Sequence, residues 1–403
     1  MFIKKFLLVL VLCALITTSG LAETEKTDSL KVKRELLFRA FYQNGKVFKT
    51  NDFLRYNNLT ADDIDRFHSI SIQALWQTNG IHQWEKDFGY PRLGVGIWAA
   101  QFFDAPNLGT PFAFYGLFNA PFIQGKNWSW RYELEMGLAT NWNDFNPISN
   151  KQNLAIGADQ TVYLDLGFYF EYKLSTKLSI EIGLSTSHFS NGALKLPNKG
   201  INTMAPKFII QYRPSETNYV KTLLRSIQEN EKYEIQFSLY GGSKNVLYTG
   251  NDIDSISKYK GVYFPQTGIM TSVHRQIGQK SKLGVGISVG YNASADARIL
   301  IDGTKLDEEN ATFKKGFEVN IFPSYELVID RVSVVIQPGF YLYRQNYQGR
   351  RPTVYQRVGI KYHFLSDVFA GISLRAYDYH ISDFIEWNIG YRLPLRNTDK
   401  TSN

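Results

Sequence analysis

The chain has 403 residues, one cysteine, six histidines and a formal charge of +8, with 45 Lys+Arg against 37 Asp+Glu. Cys13 lies inside an N-terminal apolar run and the histidines are scattered, so a disulfide framework and a metal site built on thiolates or closely spaced histidines are excluded. The basic residues are dispersed and form no aromatic-interleaved cluster, which points away from nucleic acid and toward anionic lipid headgroups.

The first element is an export signal. Lys4 and Lys5 precede an apolar run, Phe6 to Ile16, and small and polar residues continue to Ala22. Gly20 and Ala22 suit the −3 and −1 sites, so cleavage is expected after Ala22. The run is shorter than the roughly 20 residues of a membrane-spanning helix, and no later segment reaches that apolar length. Leu12 stands before Cys13 where a lipoprotein anchor would need a small residue. Residues 23–65 read as an N-terminal extension with one possible strand, Glu35 to Gln43, followed by a loop, Lys46 to Asn58.

From residue 66 a period of two dominates. Tyr132, Leu134, Met136 and Leu138 alternate with Arg131, Glu133, Glu135 and Gly137. Val162, Leu164, Leu166, Phe168, Phe170, Tyr172 and Leu174 alternate with Tyr163, Asp165, Gly167, Tyr169, Glu171 and Lys173. Leu178, Ile180, Ile182 and Leu184 share a face, as do Leu283, Val285, Ile287 and Val289 further on. Val332, Val334 and Ile336, and then Ile385, Trp387, Ile389, Tyr391 and Leu393, repeat the pattern. Side chains alternate across a strand, so each segment has one apolar and one polar or small face.

A soluble sandwich also alternates, but its strands average about 5–6 residues, whereas these run to about 10–13. Charged residues stand mid-strand on the polar face, and aromatics crowd the strand ends, as in an outer-membrane barrel with a wet lumen and interfacial girdles. Short turns at Ser175-Thr176, Gly278-Gln279, Asp330-Arg331 and Ser366-Asp367 alternate with longer links near 190–205, 242–262, 292–314 and 345–353. The link at 214–232, with Lys221 to Lys232 as a short polar helix or long turn, breaks this rhythm, as does a short one near Ser382. The expected fold is all-β: a transmembrane antiparallel β-barrel of the bacterial outer membrane with about 14–16 strands (range about 12–16). It would occupy residues 66–395 and leave a tail at 396–403. Whether the later strands close one barrel or form a barrel with appendages is not decided by the alternation.

One segment departs from the rhythm: Ser185 to Asn202, which contains His188-Phe189-Ser190-Asn191-Gly192-Ala193 and Pro197-Asn198-Lys199-Gly200-Ile201-Asn202. Continuing the lipid-facing set Leu178, Ile180, Ile182, Leu184 by twos reaches Thr186, His188 and Ser190. His188 and Ser190 therefore share the face toward the membrane, about 7 Å apart along the strand, at its outer end. Two accounts fit these residues: a serine nucleophile with an adjacent base, or polar residues tolerated at the membrane interface. A second pattern, Gly286-Ile287-Ser288-Val289-Gly290, matches the nucleophile elbow but lies inside an alternating strand with no helix after it, so it is read as coincidental.

The His188 to Asn202 segment resembles the active-site segment of the outer-membrane lipid A 3-O-deacylases. That resemblance implies an eight-stranded esterase barrel that removes the 3-linked acyl chain of lipid A with a His-x-Ser pair and a Glu, at a site facing the membrane. It implies His188 as base, Ser190 as nucleophile, and Asn191, Gly192 and Asn198 as the oxyanion-supporting segment. Asn202 stands where the family carries its acid. An asparagine can accept the imidazole N–H but supplies no charge, and an amide in place of the acid of a serine triad typically costs about 10⁴ in rate. Glu181 is a poor substitute, because parity puts it on the lumen face. The resemblance covers roughly residues 90–213, and the chain beyond about 230 lies outside it.

The expected activity is hydrolysis of a lipid A acyl ester at the outer-leaflet face, with catalytic Ser190, His188 and Asn202, no cofactor and no metal. The expected partners are lipid A or lipopolysaccharide and membrane lipids, without nucleic acid. The alternative is a non-catalytic barrel or a wide pore, with a lumen lined by Arg131, Glu133, Glu135, Asp165, Glu171, Lys173, Arg357 and Lys361.

Overall fold

The computed structural model describes residues 34–103, 105–146, 148–215, 233–245, 263–295, 316–344, 353–377 and 381–395. The export signal at 1–22, the polar stretch Lys221 to Lys232 and the tail at 396–403 lie outside the described residues, as do parts of the long links at 246–262, 296–315 and 345–352.

Sixteen antiparallel strands occur among the described residues, and they close as two barrels of eight. The first contains β1 (Glu35–Val47), β2 (Arg66–Gln77), β3 (Arg92–Phe102), β4 (Gly109–Gln124), β5 (Trp128–Trp142), β6 (Thr161–Lys173), β7 (Leu178–Ser190) and β8 (Ile201–Tyr212). The segment Glu35–Val47 closes it, since β1 pairs with both β2 and β8. The second contains β9 (Tyr233–Asn245), β10 (Tyr263–Ile277), β11 (Ser281–Asn292), β12 (Phe317–Ile329), β13 (Val332–Arg344), β14 (Val354–His363), β15 (Val368–Tyr377) and β16 (Ile381–Leu395), with β16 returning to β9. The chain forms two compact units, Met1–Ser190 with Gly200–Arg225, and Asn191–Lys199 with Ser226–Asn403. A membrane strand has no water for its backbone groups, and closure pairs them all within the sheet.

Eight strands leave an interior just wide enough for side chains to fill. In the first barrel the charged face predicted to line a wet lumen is instead a buried ion-pair network. Arg39 bonds Glu133 at 2.5 Å and Glu181 at 3.0 Å. Arg92 reaches Glu171 at 2.7 Å and Glu181 at 3.1 Å. Lys207 lies 3.1 Å from both Glu135 and Asp165. The difference from the sequence expectation is one of diameter: the same alternating faces line a wide channel in a large barrel and meet one another in a small one. Above this network, toward the Ser190 end, the interior becomes aromatic. Trp98, Tyr163 and Phe189 stack with centroids 5.2–5.5 Å apart. Buried Phe53, Leu54, Ile64, Leu108 and Ile156 from the links 48–65, 103–108 and 143–160 cap it.

The second barrel repeats the arrangement. Arg357 bonds Glu386 at 3.0 Å, Arg375 bonds Glu318 at 2.9 Å, Lys244 bonds Asp383 at 2.6 Å, and Lys361 pairs with Glu326. Ser288 of the elbow-like pattern is buried on the inner face of β11 and accepts a hydrogen bond from Asn320 at 3.2 Å.

Breaking a buried ion pair from one side leaves an uncompensated charge, at a cost of about 3–5 kcal/mol. Lys207→Met, which leaves Glu135 and Asp165 facing each other without their cation, is expected to lower stability by that amount. The check is the midpoint of denaturant unfolding in lipid vesicles, where an unchanged midpoint would contradict the role given to the network.

Candidate active site

The site is built from strand geometry alone. On β7, Ile182 and Leu184 are exposed on the wall while Ser185, Ser187 and Phe189 are buried toward the interior. That alternation carries His188 and Ser190 to the lipid-facing side. Asn202 is the residue of β8 directly opposite His188. Directly opposed side chains in an antiparallel pair have Cβ atoms about 4.5–5.5 Å apart, so an imidazole and a carboxamide there meet without distortion.

His188 bridges the other two. Its Nε2 is 2.8 Å from Ser190 Oγ and its Nδ1 is 2.7 Å from Asn202 Oδ1. With a carbonyl oxygen accepting at Nδ1, that nitrogen carries the proton and Nε2 presents its lone pair to the serine hydroxyl. Both ring nitrogens are thereby engaged, so no carboxylate is bonded to the ring. Glu181 lies on the inner face of the same strand and is held by Arg39 and Arg92.

Three contacts that sequence reasoning missed hold this wall in place. Phe189, between His188 and Ser190 in sequence, points inward and packs on Trp98, Trp142 and Tyr163. Phe48 N donates to Asn202 O at 2.8 Å, and Gly200 N donates to Ala155 O at 3.0 Å, so the links after β1 and β5 are tied to the approach to β8. Gly200 has φ +70, and a Cβ there would stand 3.0 Å from Phe189 O and 3.2 Å from His188 Cε1. Only glycine takes that backbone conformation without cost. One step below, the polar Thr186 satisfies itself by donating to Thr203 O at 3.0 Å.

The segment Asn191–Lys199 has its own internal order. Asn191 N donates to Asn198 Oδ1 at 2.9 Å, and Asn191 Nδ2 donates to Lys195 O at 2.7 Å. Gly192 has φ +61. Asn198 Nδ2 is buried and has no acceptor among the described residues.

The comparisons with known proteins bear on this arrangement. Residues 42–208 match the family model described as lipid A 3-O-deacylase (PagL), and residues 233–397 match the one described as acyloxyacyl hydrolase, C-terminal domain. The chain belongs to the lipid A 3-O-deacylase family. It is an outer-membrane β-barrel protein, and its first barrel is a lipid A deacylase domain. The second match carries the family past residue 230, where the motif-based resemblance ended. No curated protein matches the sequence. Among solved structures, the chain is similar to the outer-membrane enzyme PagL, with 14% identity over 42% of this chain and 97% of that one at a TM-score of 0.28. Neisserial surface protein A shares 11% identity over 44% of this chain and 96% of that one, at a TM-score of 0.30. Acinetobacter baumannii OccAB4 shares 10% identity over 91% of this chain and 99% of that one, at a TM-score of 0.25.

Because Phe189 anchors the residues on either side of it, Phe189→Ala is expected to cost about 3–5 kcal/mol through the cavity it leaves. It is also expected to disorder the His188 ring. Denaturant unfolding in detergent measures the first effect, and the imidazole nitrogen resonances of His188 report the second.

Proposed function

We propose that the first barrel is a serine esterase that removes an acyl chain from lipid A at the membrane-facing wall, with Ser190 as nucleophile and His188 as general base. The observation that carries this is the chain of contacts Ser190 Oγ, His188 Nε2, His188 Nδ1 and Asn202 Oδ1, at 2.8 and 2.7 Å, on the lipid-facing side of β7 and β8. A fully polar, mutually bonded trio is out of place on a largely apolar wall, and a substrate embedded in the leaflet accounts for it.

Ser190 Oγ attacks the ester carbonyl carbon while His188 Nε2 takes the hydroxyl proton. The resulting oxyanion needs hydrogen-bond donors. The resemblance of the His188 to Asn202 segment to the deacylase motif assigns that role to Asn191, Gly192 and Asn198. Collapse of the intermediate breaks the ester C–O bond, and His188 returns the proton to the departing sugar hydroxyl. Water, deprotonated by the same Nε2, then hydrolyses the acyl-serine and releases a fatty acid. Throughout, Asn202 Oδ1 holds the Nδ1 proton and fixes the ring. It orients the imidazolium without neutralising it, so catalysis is expected to be slower than with a carboxylate at this position.

In cells carrying the wild-type chain, lipid A is expected to lose one ester-linked acyl chain by mass spectrometry, and in cells carrying Ser190→Ala it is expected to stay intact. Unchanged lipid A in both would end the esterase reading. Asn202→Glu, which restores the acid, is expected to raise kcat at neutral pH, with an upper bound of about 10⁴-fold set by the effect of amide for acid in a serine triad. A fall in kcat with the fold intact would mean that the site is built for an amide.

A further inference from the structure

The wall of the first barrel carries two formal charges, and both are cations. Along the lipid-facing positions of β1 to β8, the described residues are apolar, small or neutral polar apart from Lys46 and Arg66. Every carboxylate within those strands lies on the inner face, and so do Arg39, Arg92, Arg131, Lys173 and Lys207. Lys46 and Arg66 are also directly opposite one another in the β1–β2 register. Like charges facing across an antiparallel pair repel, and charges on a lipid-facing wall are unfavourable.

Their position relative to the site follows from the register. His188 faces Asn202, and two residues along, Thr186 faces Met204, which faces Lys46, which faces Arg66. Lys46 is therefore two strands across and one two-residue step along from His188. With about 4.8 Å between strands and about 7 Å per step, their backbones are roughly 12 Å apart. Met204 lies between them, half exposed and apolar. Both cations stand at the strand ends joined by the links 48–65, 103–108, 143–160 and 191–200, whereas the opposite end has the tight links 125–127 and 174–177 beside the longer 78–91; by the rule that periplasmic turns are short, the end with the cations is the outer one, at headgroup depth.

The neighbouring charges leave the pair available. Lys46 has no acidic partner among the described residues. Arg66 Nε is 3.4 Å from Asp65, the residue before it, and both side chains are more than half solvent-exposed or nearly so. Such an exposed contact is weak and leaves the terminal guanidinium nitrogens free. Of the other acidic residues of this link, Asp63 is bonded to Lys49 at 2.6 Å, and no ion pair joins Asp52 or Asp62 to Lys46 or Arg66 among the described residues. The Arg66 guanidinium also lies 6.0 Å from the Phe103 ring centroid, within reach of a cation–π contact.

We infer that Lys46 and Arg66 form a phosphate subsite that holds the anionic sugar headgroup of the lipid substrate beside the ester presented to Ser190. This rests on the esterase reading of the His188–Ser190 pair. A guanidinium and an ammonium side by side suit a phosphomonoester, whose two negative charges relieve the repulsion between them and accept donors from both. Long side chains at this depth lay their stems on the apolar wall and raise their charged ends to the headgroup. The acyl chains of the same molecule would lie along the wall below Met204.

The test is binding, so that it stands apart from turnover. The full chain with Ser190→Ala is prepared in neutral detergent micelles and titrated with bisphosphorylated lipid A, with the same lipid after removal of its phosphates, with phosphatidylglycerol and with inorganic phosphate. Binding of the phosphorylated lipid A is expected to be about tenfold tighter or more than that of the dephosphorylated form, the scale of one charge-assisted hydrogen bond. Adding Lys46→Gln and Arg66→Gln is expected to erase the difference, whereas Lys46→Arg with Arg66→Lys is expected to keep it. Equal affinity for the two lipid A forms overturns the inference, and so does a difference that survives the double Gln change. Phosphatidylglycerol binding as tightly as lipid A would make the pair a general anionic-lipid contact, and displacement by sub-millimolar inorganic phosphate would make it a free-phosphate site. Either result removes the headgroup assignment. Turnover by the wild-type chain is measured separately, so a failed esterase and a failed phosphate subsite give different results.

Discussion

Inside a bilayer a backbone amide has no water to bond, so each strand must be paired on both edges along its length. Closing the sheet meets this need, and the pleat then sends successive side chains to opposite sides of the wall. Every other feature of the first barrel follows from that division. Apolar residues such as Ile182, Leu184, Phe208 and Ile210 face lipid. Apart from Lys46 and Arg66, the charged residues of the strands are confined to the interior, where they must find partners among themselves. A polar side chain on the outer face has no such company, which makes His188, Ser190 and Asn202 conspicuous together, and Lys46 and Arg66 conspicuous as a pair.

The interior shows how strand number governs chemistry. Arg39, Arg92 and Lys207 are buried, and each contacts at least two carboxylates. Burying such groups without partners costs several kcal/mol per ion, and pairing restores much of that. A network of this kind adds little net stability over an apolar filling. Its value lies in register: a strand slipped by one residue would send Glu133, Glu135 and Arg131 to the lipid side together. The aromatic layer of Trp98, Tyr163 and Phe189 closes the interior above the network and supports the strand end that carries the site.

At the site itself the amide at position 202 has two opposing consequences. It gives up the carboxylate that would stabilise an imidazolium during turnover. It also avoids placing a permanent negative charge on a surface that faces lipid tails and lies near an anionic headgroup. A resting carboxylate beside neutral His188 would have to be desolvated or paired, and no cation is bonded to Asn202 among the described residues. The asparagine keeps the orientation and removes that cost. The same electrostatic reasoning makes a cationic pair a short distance along the wall favourable for a phosphorylated lipid.

Much of this was legible in the sequence, because alternation is a local property. The strand positions, the short turns, the outward face of His188 and Ser190 and the inward face of Glu181 and Ser288 all follow from counting by twos. The contact of Asn202 with His188 was legible only through the family motif, since ten residues of link separate β7 from β8 and parity does not give the register across it. The same limit hid Lys46 and Arg66, which face each other across an 18-residue link. Closure was decided by tertiary structure alone. Sixteen alternating strands read the same whether they form one ring or two, because each strand records which face is apolar and not which distant strand completes its sheet. The pairing of β8 with β1 and of β16 with β9 made that choice, and it turned a predicted wet lumen into two side-chain-filled interiors.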